Sequence, residues 1–524
     1  MARYSRYKRN RFYKRWNKKK KNDIPAVLIT GIVFVLIGLY LTYRVYTFYL
    51  LPRLWRLMIM AFIVLMSMLF LILSILRKKK GKVLKIIEII LCALMAIGSV
   101  TQPFVEKKAE NLFSTRIRTY VQDFHVYTLN AQYRAEHSEL PLSENVSNNL
   151  LNYINADFLY PQSNSDAQRR ALELLKRELG EDISLRQESM LWTTLQVFYN
   201  GEAECIILSD PVIDMIEETE EYVSFSDDTL MLKTLSVEMK IEEDISSRIS
   251  DKAFTVFVAG NDTRSGILSI YGRTDVDILL SVNPETAQVL IISIPRDTYL
   301  PNPALNHGMD KLTHLGNDGI MNTIQGLNDL FDLDVKHYTA VNFVTFKKII
   351  DTLGGIDIYN PYDFQGINRF FNHGDLHLNG EDALDYVRER HTLSSGDFDR
   401  NEHQAIVLKA ILQKLMSREM LEKAGDLLNN LSGSVATNIE PSSILELASE
   451  ELVNRRNWNI IYYHLGGFGT RAETISMPGM ILYVVRPYDS QIKFVHDEIM
   501  NVLTGEILEQ KQLPDADKTV WEYN

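Results

Sequence analysis

Phe-Thr-Val-Phe-Val (254–258), Val-Asp-Ile-Leu-Leu-Ser-Val (276–282) and Gln-Val-Leu-Ile-Ile-Ser-Ile (288–294) are three short β-branched runs separated by Asn, Gly, Asp and Pro. Branched side chains pack well on a pleated surface and turn residues bound them, so the stretch reads as strands of a buried sheet. Downstream, residues 319–331, 345–353, 380–387 and 400–416 carry helical spacing. Strands interleaved with helices imply an α/β layer, with helices on both sides of a mixed central sheet.

Arginines and aspartates punctuate this layer, in Gly-Asn-Asp-Thr-Arg (260–264), Gly-Arg-Thr-Asp (272–275), Ile-Pro-Arg-Asp (294–297), Val-Arg-Glu-Arg-His (387–391) and Gly-Asp-Phe-Asp-Arg (396–400). Guanidinium groups bind phosphate through two parallel hydrogen bonds, and aspartates hold a hard cation such as Mg²⁺ against phosphate oxygens. Together the fragments point to a diphosphate substrate. Singly each has a plainer reading. Asp262 and Asp275 suit turns, Arg388 and Arg390 suit a solvated charge run, and Arg296 can simply pair with Asp297. The fragments fall at strand ends and helix starts, where α/β folds bind ligands.

The helix after Gly396 is the most informative local element. Leu408, Ile411, Leu412 and Leu415 are expected as its buried stripe, and counting back by four reaches Gln404 and Arg400. Asp397 or Ser395 stands where an N-cap belongs. A helix start presenting Arg and Gln beside free backbone N–H groups is an anion site by geometry.

The N-terminus says where the substrate lies. Residues 1–22 form a basic tail with 11 Lys/Arg in the first 21 positions, and apolar runs follow at 24–43, 57–76 and 83–100. Each is about the 20 residues needed to cross a bilayer, so residues 23–102 are expected to form three membrane-spanning helices. Five basic residues in 77–82 against three in 44–56 place the tail and second loop in the cytoplasm and everything after about residue 102 outside. Residues 1–104 carry a net charge of +18, and the whole chain −11, which leaves −29 for the remainder (36 basic against 65 acidic). Nucleic acid is a poor partner for so acidic a surface. Cys92, inside the third run, and Cys205 outside it make no sensible pair, so the exported part is expected to lack disulfides, as suits a Gram-positive surface.

Residues 105–245 read as a mixed α/β accessory domain without a chemical motif: a helix over 166–179, strand-like runs at 191–199 and 205–208, and an acidic 213–222. A charged linker at 242–251 precedes the α/β layer of 250–490, and 491–524 reads as a C-terminal tail. No Cys/His metal signature, Walker loop or Gly-x-Ser-x-Gly motif occurs.

The order of the arginine motifs, over about 252–467, resembles the LytR-CpsA-Psr family, and the three spans with an intervening domain resemble its capsule-type branch. That resemblance implies a membrane-anchored phosphotransferase. It would attach a polyprenyl (undecaprenyl) diphosphate-linked glycopolymer, capsular polysaccharide in that branch, to peptidoglycan with Mg²⁺. A polyprenyl diphosphate phosphatase side activity and capsule-synthesis membrane partners would accompany this role. Asp262 and Asp275 would hold the metal. Arg273, Arg296, Arg388, Arg390 and Arg400 would clamp the diphosphate with Gln404 beside them, and Asp397 would face the attacking hydroxyl. Lys311, in Asp-Lys-Leu-Thr-His, and Arg264 would lie on the substrate side. Two positions depart from the family pattern. His403 replaces an arginine before the glutamine, and Thr313-His314-Leu315 replaces Asn-Ala-Tyr. The rival reading is a non-enzymatic membrane sensor of lipid-linked polymer, which needs the clamp but no metal carboxylates.

Overall fold

A computed structural model of the chain describes residues 34–46, 53–76, 119–142, 146–162, 165–217, 219, 221–240, 249, 252–261, 270–389, 397–431 and 434–514. These fall into two compact units, one built from residues up to Thr115 with Pro441–Arg455, the other from Arg116–Glu440 with Arg456–Asn524. In the first, helices cover 34–46, Arg53–Leu76 and Pro441–Asn454, and Arg56 forms an ion pair with Glu446. The first two match the first two apolar runs. The third run and the basic tail lie outside the described residues. Counting described residues alone, no helix is long and apolar enough to cross a membrane.

Among its described residues the second unit contains two large sheets and four two-stranded ones. The larger has six strands in the order Ala436–Thr437, His337–Asn342, Phe254–Asn261, Thr274–Asn283, Gln288–Ile294, Asn459–His464. The two inner pairings are antiparallel, while His337–Asn342 and Asn459–His464 join in parallel. The sheet is therefore mixed, as expected. Period-2 alternation splits its side chains between two cores. Phe257, Leu279, Leu290 and Ile292 pack with Ile324, Leu327 and Phe331 of the helix Ile320–Phe331 and with Val495, Ile499 and Val502 of the helix Asp489–Thr504. Ile278, Val289 and Ile291 face Leu408 and Leu412 of the helix Asp397–Leu415. Helices cover both faces, and the layer runs past residue 490, into what the sequence presented as a tail.

The helix Asp397–Leu415 corrects the expected single stripe. Leu408 and Leu412 meet the sheet, whereas Val407, Ala410, Ile411 and Leu415 pack into another core with Ile350, Phe364, Phe371 and Tyr386. A helix buried on two sides has no single apolar face, so a one-stripe reading merges two.

The smaller sheet, of the accessory region, has the order Ser184–Glu188, Asp157–Pro161, Cys205–Ser209, Thr119–Leu129, Thr229–Lys240. The helix Asp166–Leu179 and the strand Cys205–Ser209 stand where the sequence placed them. Leu191–Tyr199, strand-like by its β-branched and aromatic content, is a helix. Burial of Thr194, Leu195, Val197 and Phe198 follows helical spacing, and tertiary packing overrides the weak local preference.

Candidate active site

Sheet directions bring the chemistry to one edge. The strands ending at Asn261, Ile294, Asn342 and His464 all run toward it, and the strand Thr274–Asn283 starts from it. At those ends stand Arg273, Asp275 and Arg296. Gly272, at φ +124°, makes the entry turn, and its N–H donates to the Gly316 carbonyl at 2.9 Å. A Cβ on Gly316 would lie 2.3 Å from the Gly272 oxygen, so glycine is needed at 316 for the close approach and at 272 for its positive φ.

Arg296 follows Pro295 at the strand end, three-quarters or more buried, and donates from Nη1 to Asp275 Oδ1 at 2.6 Å. Asp275 thus lies in a strand and not in a turn. Asp297, the expected plain partner of Arg296, pairs loosely with its Nε at 3.9 Å and also holds Lys311, Nζ to Oδ1 at 3.0 Å. Lys311 ends the short hairpin of Tyr299–Asn302 with Gly308–Lys311 and is buried. Asp275, Arg296, Asp297 and Lys311 therefore form one charged chain at the edge.

The arginines of the second half arrive on helix ends. Arg388 is the last residue of the helix Gly380–Arg388, exposed, with its guanidinium 4.6 Å over the Phe343 ring. Phe343 itself begins the helix Phe343–Thr352, which is capped by Asn342 at the sheet edge. Glu389 turns extended, φ −66° and ψ 134°. Arg390 lies outside the described residues, with Arg264 and Asp262, and so does the side chain of Asp397, the first residue of its helix. Arg400 is buried in the first turn of that helix, and Gln404 stands half-buried one turn on. The His464 imidazole is held down to about 4, first by burial and then by the Arg400 guanidinium.

His403 takes no phosphate-side place. Its ring is fully buried 4.3 Å from Tyr386 and 4.6 Å from Phe364, and Nδ1 lies 3.2 Å from the Tyr386 carbonyl. One residue from Gln404 on a helix is a 100° rotation, which carries this side chain into the second core.

Sequence reasoning missed four further groups. Asp277 is fully buried in the central strand, and neither oxygen meets a partner at hydrogen-bonding geometry. Burial pushes its carboxyl up to about 8, against a smaller opposing pull from the Thr274 hydroxyl. An acid inside the run 276–282 was a visible signal. Asp297 as the holder of Lys311, Phe343 under Arg388, and His464 beside Arg400 carried no such signal, because each depends on a partner distant in sequence.

Residues 222–474 match the LytR_cpsA_psr family. Among curated relatives, the polyisoprenyl-teichoic acid–peptidoglycan teichoic acid transferase TagU of Oceanobacillus iheyensis is 33% identical over 277 residues, 51% of this chain and 81% of the relative. TagU of Bacillus subtilis is 32% identical over 238 residues, 45% of this chain and 75% of the relative. The crystal structure of B. subtilis TagV aligns with a TM-score of 0.41 and 25% identity, over 49% of this chain and 99% of that one. The two TagU relatives are named for teichoic acid and not for capsule, so the likeness holds for the family and not for its capsule-type branch. On its identity to relatives that it covers over most of their length, and on a family match spanning the arginine-bearing edge, the chain belongs to the LytR_cpsA_psr family, that is, LytR-CpsA-Psr.

Proposed function

We propose that this chain transfers a polyprenyl-diphosphate-linked glycopolymer to peptidoglycan at the outer face of a membrane. The observation that carries the reading is the convergence of Arg273, Arg296, Lys311 and Asp275 on the edge where four strands end, with Arg400 buried in the first turn of a covering helix. In the reaction, a muramic-acid hydroxyl oxygen attacks the sugar-linked phosphorus. A new P–O bond forms, the bond to the bridging oxygen breaks, and polyprenyl phosphate leaves with that oxygen. The energy is stored in the diphosphate, so no nucleotide is needed. Catalysis then rests on position and charge. Arg296, Arg388, Arg390 and Arg400 would neutralise the phosphate oxygens, and Asp397 would take the hydroxyl proton.

Mg²⁺ fits the residues present. Such an ion needs one or two carboxylates plus phosphate oxygens. Asp275 is over a quarter exposed toward the edge and gives Arg296 its Oδ1, so its Oδ2 remains to face a cation. Among the described residues no group of three His, Cys, Asp or Glu is placed to hold a metal. Asp262 would be the second carboxylate. Bound Mg²⁺ would supply Lewis-acid polarisation of the phosphoryl oxygens.

The polymer is either teichoic acid, for which the relatives are named, or capsular polysaccharide, which the layout of three apolar runs and an accessory domain supports. A purified protein given short-chain polyprenyl-diphosphate glycans of both kinds, peptidoglycan fragments and Mg²⁺ should release polyprenyl phosphate and link one polymer to the fragments. Tight binding of both with no release would favour the sensor reading.

A further inference from the structure

Two supports of Lys311 lead to a single element, the hairpin of Gly467–Thr474 with Met477–Pro487. The first support is Asp297, which holds Nζ at 3.0 Å. Its backbone carbonyl accepts the Val485 N–H at 2.8 Å. The second is Asp310, whose Oδ1 accepts the Lys311 backbone N–H at 2.9 Å. That same oxygen accepts the Ser476 hydroxyl at 2.8 Å and lies 2.8 Å from His314 Nδ1, which is itself 3.0 Å from Ser476. Asn302 Nδ2 donates to Oδ2 at 3.1 Å. Asp310 and His314 are fully buried, so this knot cannot trade its bonds for water at little cost.

The second strand is also anchored on another side. Met477, Met480 and Leu482 share one core with Leu129, Leu159, Leu195, Phe198 and Ile213 of the accessory region. Alternation along the strand turns 480, 482 and 484 inward and leaves Ile481 and Tyr483 exposed, so the hairpin carries one committed face. An element whose second strand buries Met477, Met480 and Leu482 in the accessory core, and whose Ser476 and Val485 bond to Asp310 and Asp297, joins the two regions mechanically.

We infer that this arm positions Lys311: Ser476 is a positioning residue for the substrate-side lysine, and residues 119–240 are the arm's footing. A lysine meets phosphate as a point charge on a flexible stem, so what fixes its base and its ammonium sets its reach. The inference rests on the proposed placing of Lys311 beside substrate.

The test is a double-mutant cycle in the full chain, reading kcat/KM for a short-chain polyprenyl diphosphate glycan. Ser476→Ala should lower it about tenfold, the scale of one lost bond to a carboxylate. In a Lys311→Ala background the same change should have no further effect, and Ser476→Thr should restore most of the loss. Met480→Ala, at the footing, should follow the same pattern. Should Ser476→Ala not fold, Ser476→Cys takes its place in the cycle. Equal losses in both backgrounds, or no loss on Ser476→Ala while Lys311→Ala is impaired, would overturn the positioning role and leave the site reading standing. Wild-type turnover by Lys311→Ala would overturn both.

Discussion

Among the described residues, Arg388 is steadied by a ring and by no carboxylate. Stacked 4.6 Å over Phe343, it stays exposed and keeps its N–H fork for a ligand. Lysine lacks that fork, so Arg388→Lys, Arg390→Lys and Arg400→Lys should each lower turnover of a polyprenyl diphosphate at least about tenfold. Arg264 should matter less, since beside Asp262 it would chiefly neutralise that carboxylate. Phe343→Leu leaves the charge but removes the platform, and a loss of about threefold is expected. Full activity of Arg390→Lys in proteins of matched stability would sink the two-pronged clamp. His464 makes a different prediction. Its folded pKa is held down to about 4 by burial and by Arg400, from an ordinary value of 6.5. Below pH 6.5 the unfolded chain gains a proton that the native state refuses, so stability falls as pH drops from about 6.5 to 4. His464→Gln should flatten that decline by up to ~3 kcal/mol, read from urea unfolding at a series of pH values.

Among the elements, the helix Gly380–Arg388 shows how a site is held from behind. Asp385, one turn before Arg388, is buried, and its carboxylate accepts the backbone N–H groups of Ile367, Asn368 and Arg369 at 2.7, 2.9 and 3.1 Å. This ties the helix to the short hairpin of Phe364–Gln365 with Phe370–Phe371. Asp385→Ala would strand three donors, so a loss of ~3 kcal/mol or more is expected in denaturant unfolding. Asp385→Asn should recover only part, because its amide donates where an acceptor is needed. Helix 397–415 makes the complementary case. His403→Ala opens a hole among Tyr386, Phe364 and Tyr362 and should cost ~2–4 kcal/mol while leaving KM near wild type. A rise in KM with unchanged stability would instead put His403 beside substrate.

On the scale of the whole molecule, the proposed reading combines an acidic exported body with a basic tail. Protease added to protoplasts should remove residues beyond about 105 and spare a tag at residue 1, by the excess of basic residues at the N-terminus. Loss of that tag from outside would reverse the topology. Excess EDTA should stop turnover and Mg²⁺ restore it. Asp275→Ala should stay inactive with Mg²⁺ present while melting near wild type, and full turnover in EDTA would discard the cation.

The sequence by itself determined the layered sheet. The runs at 254–258, 276–282 and 288–294 and the helices near 319–331 and 380–387 are local patterns, and side-chain period alone gives them. It also marked Arg273, Arg296 and Arg388, because a guanidinium beside a strand end or helix end is visible in order and type. The tertiary structure alone decided three things. It made 191–199 a helix, where packing outweighed β-branched content. It turned His403 into the core while Arg400 and Gln404 kept the other face, since burial on two sides erases the stripe. And it tied Lys311 through Asp297 and Asp310 to Val485 and Ser476, more than 150 residues on. Local periodicity records what a residue does for its own element; which distant chain it then meets depends on how the elements close around a shared core.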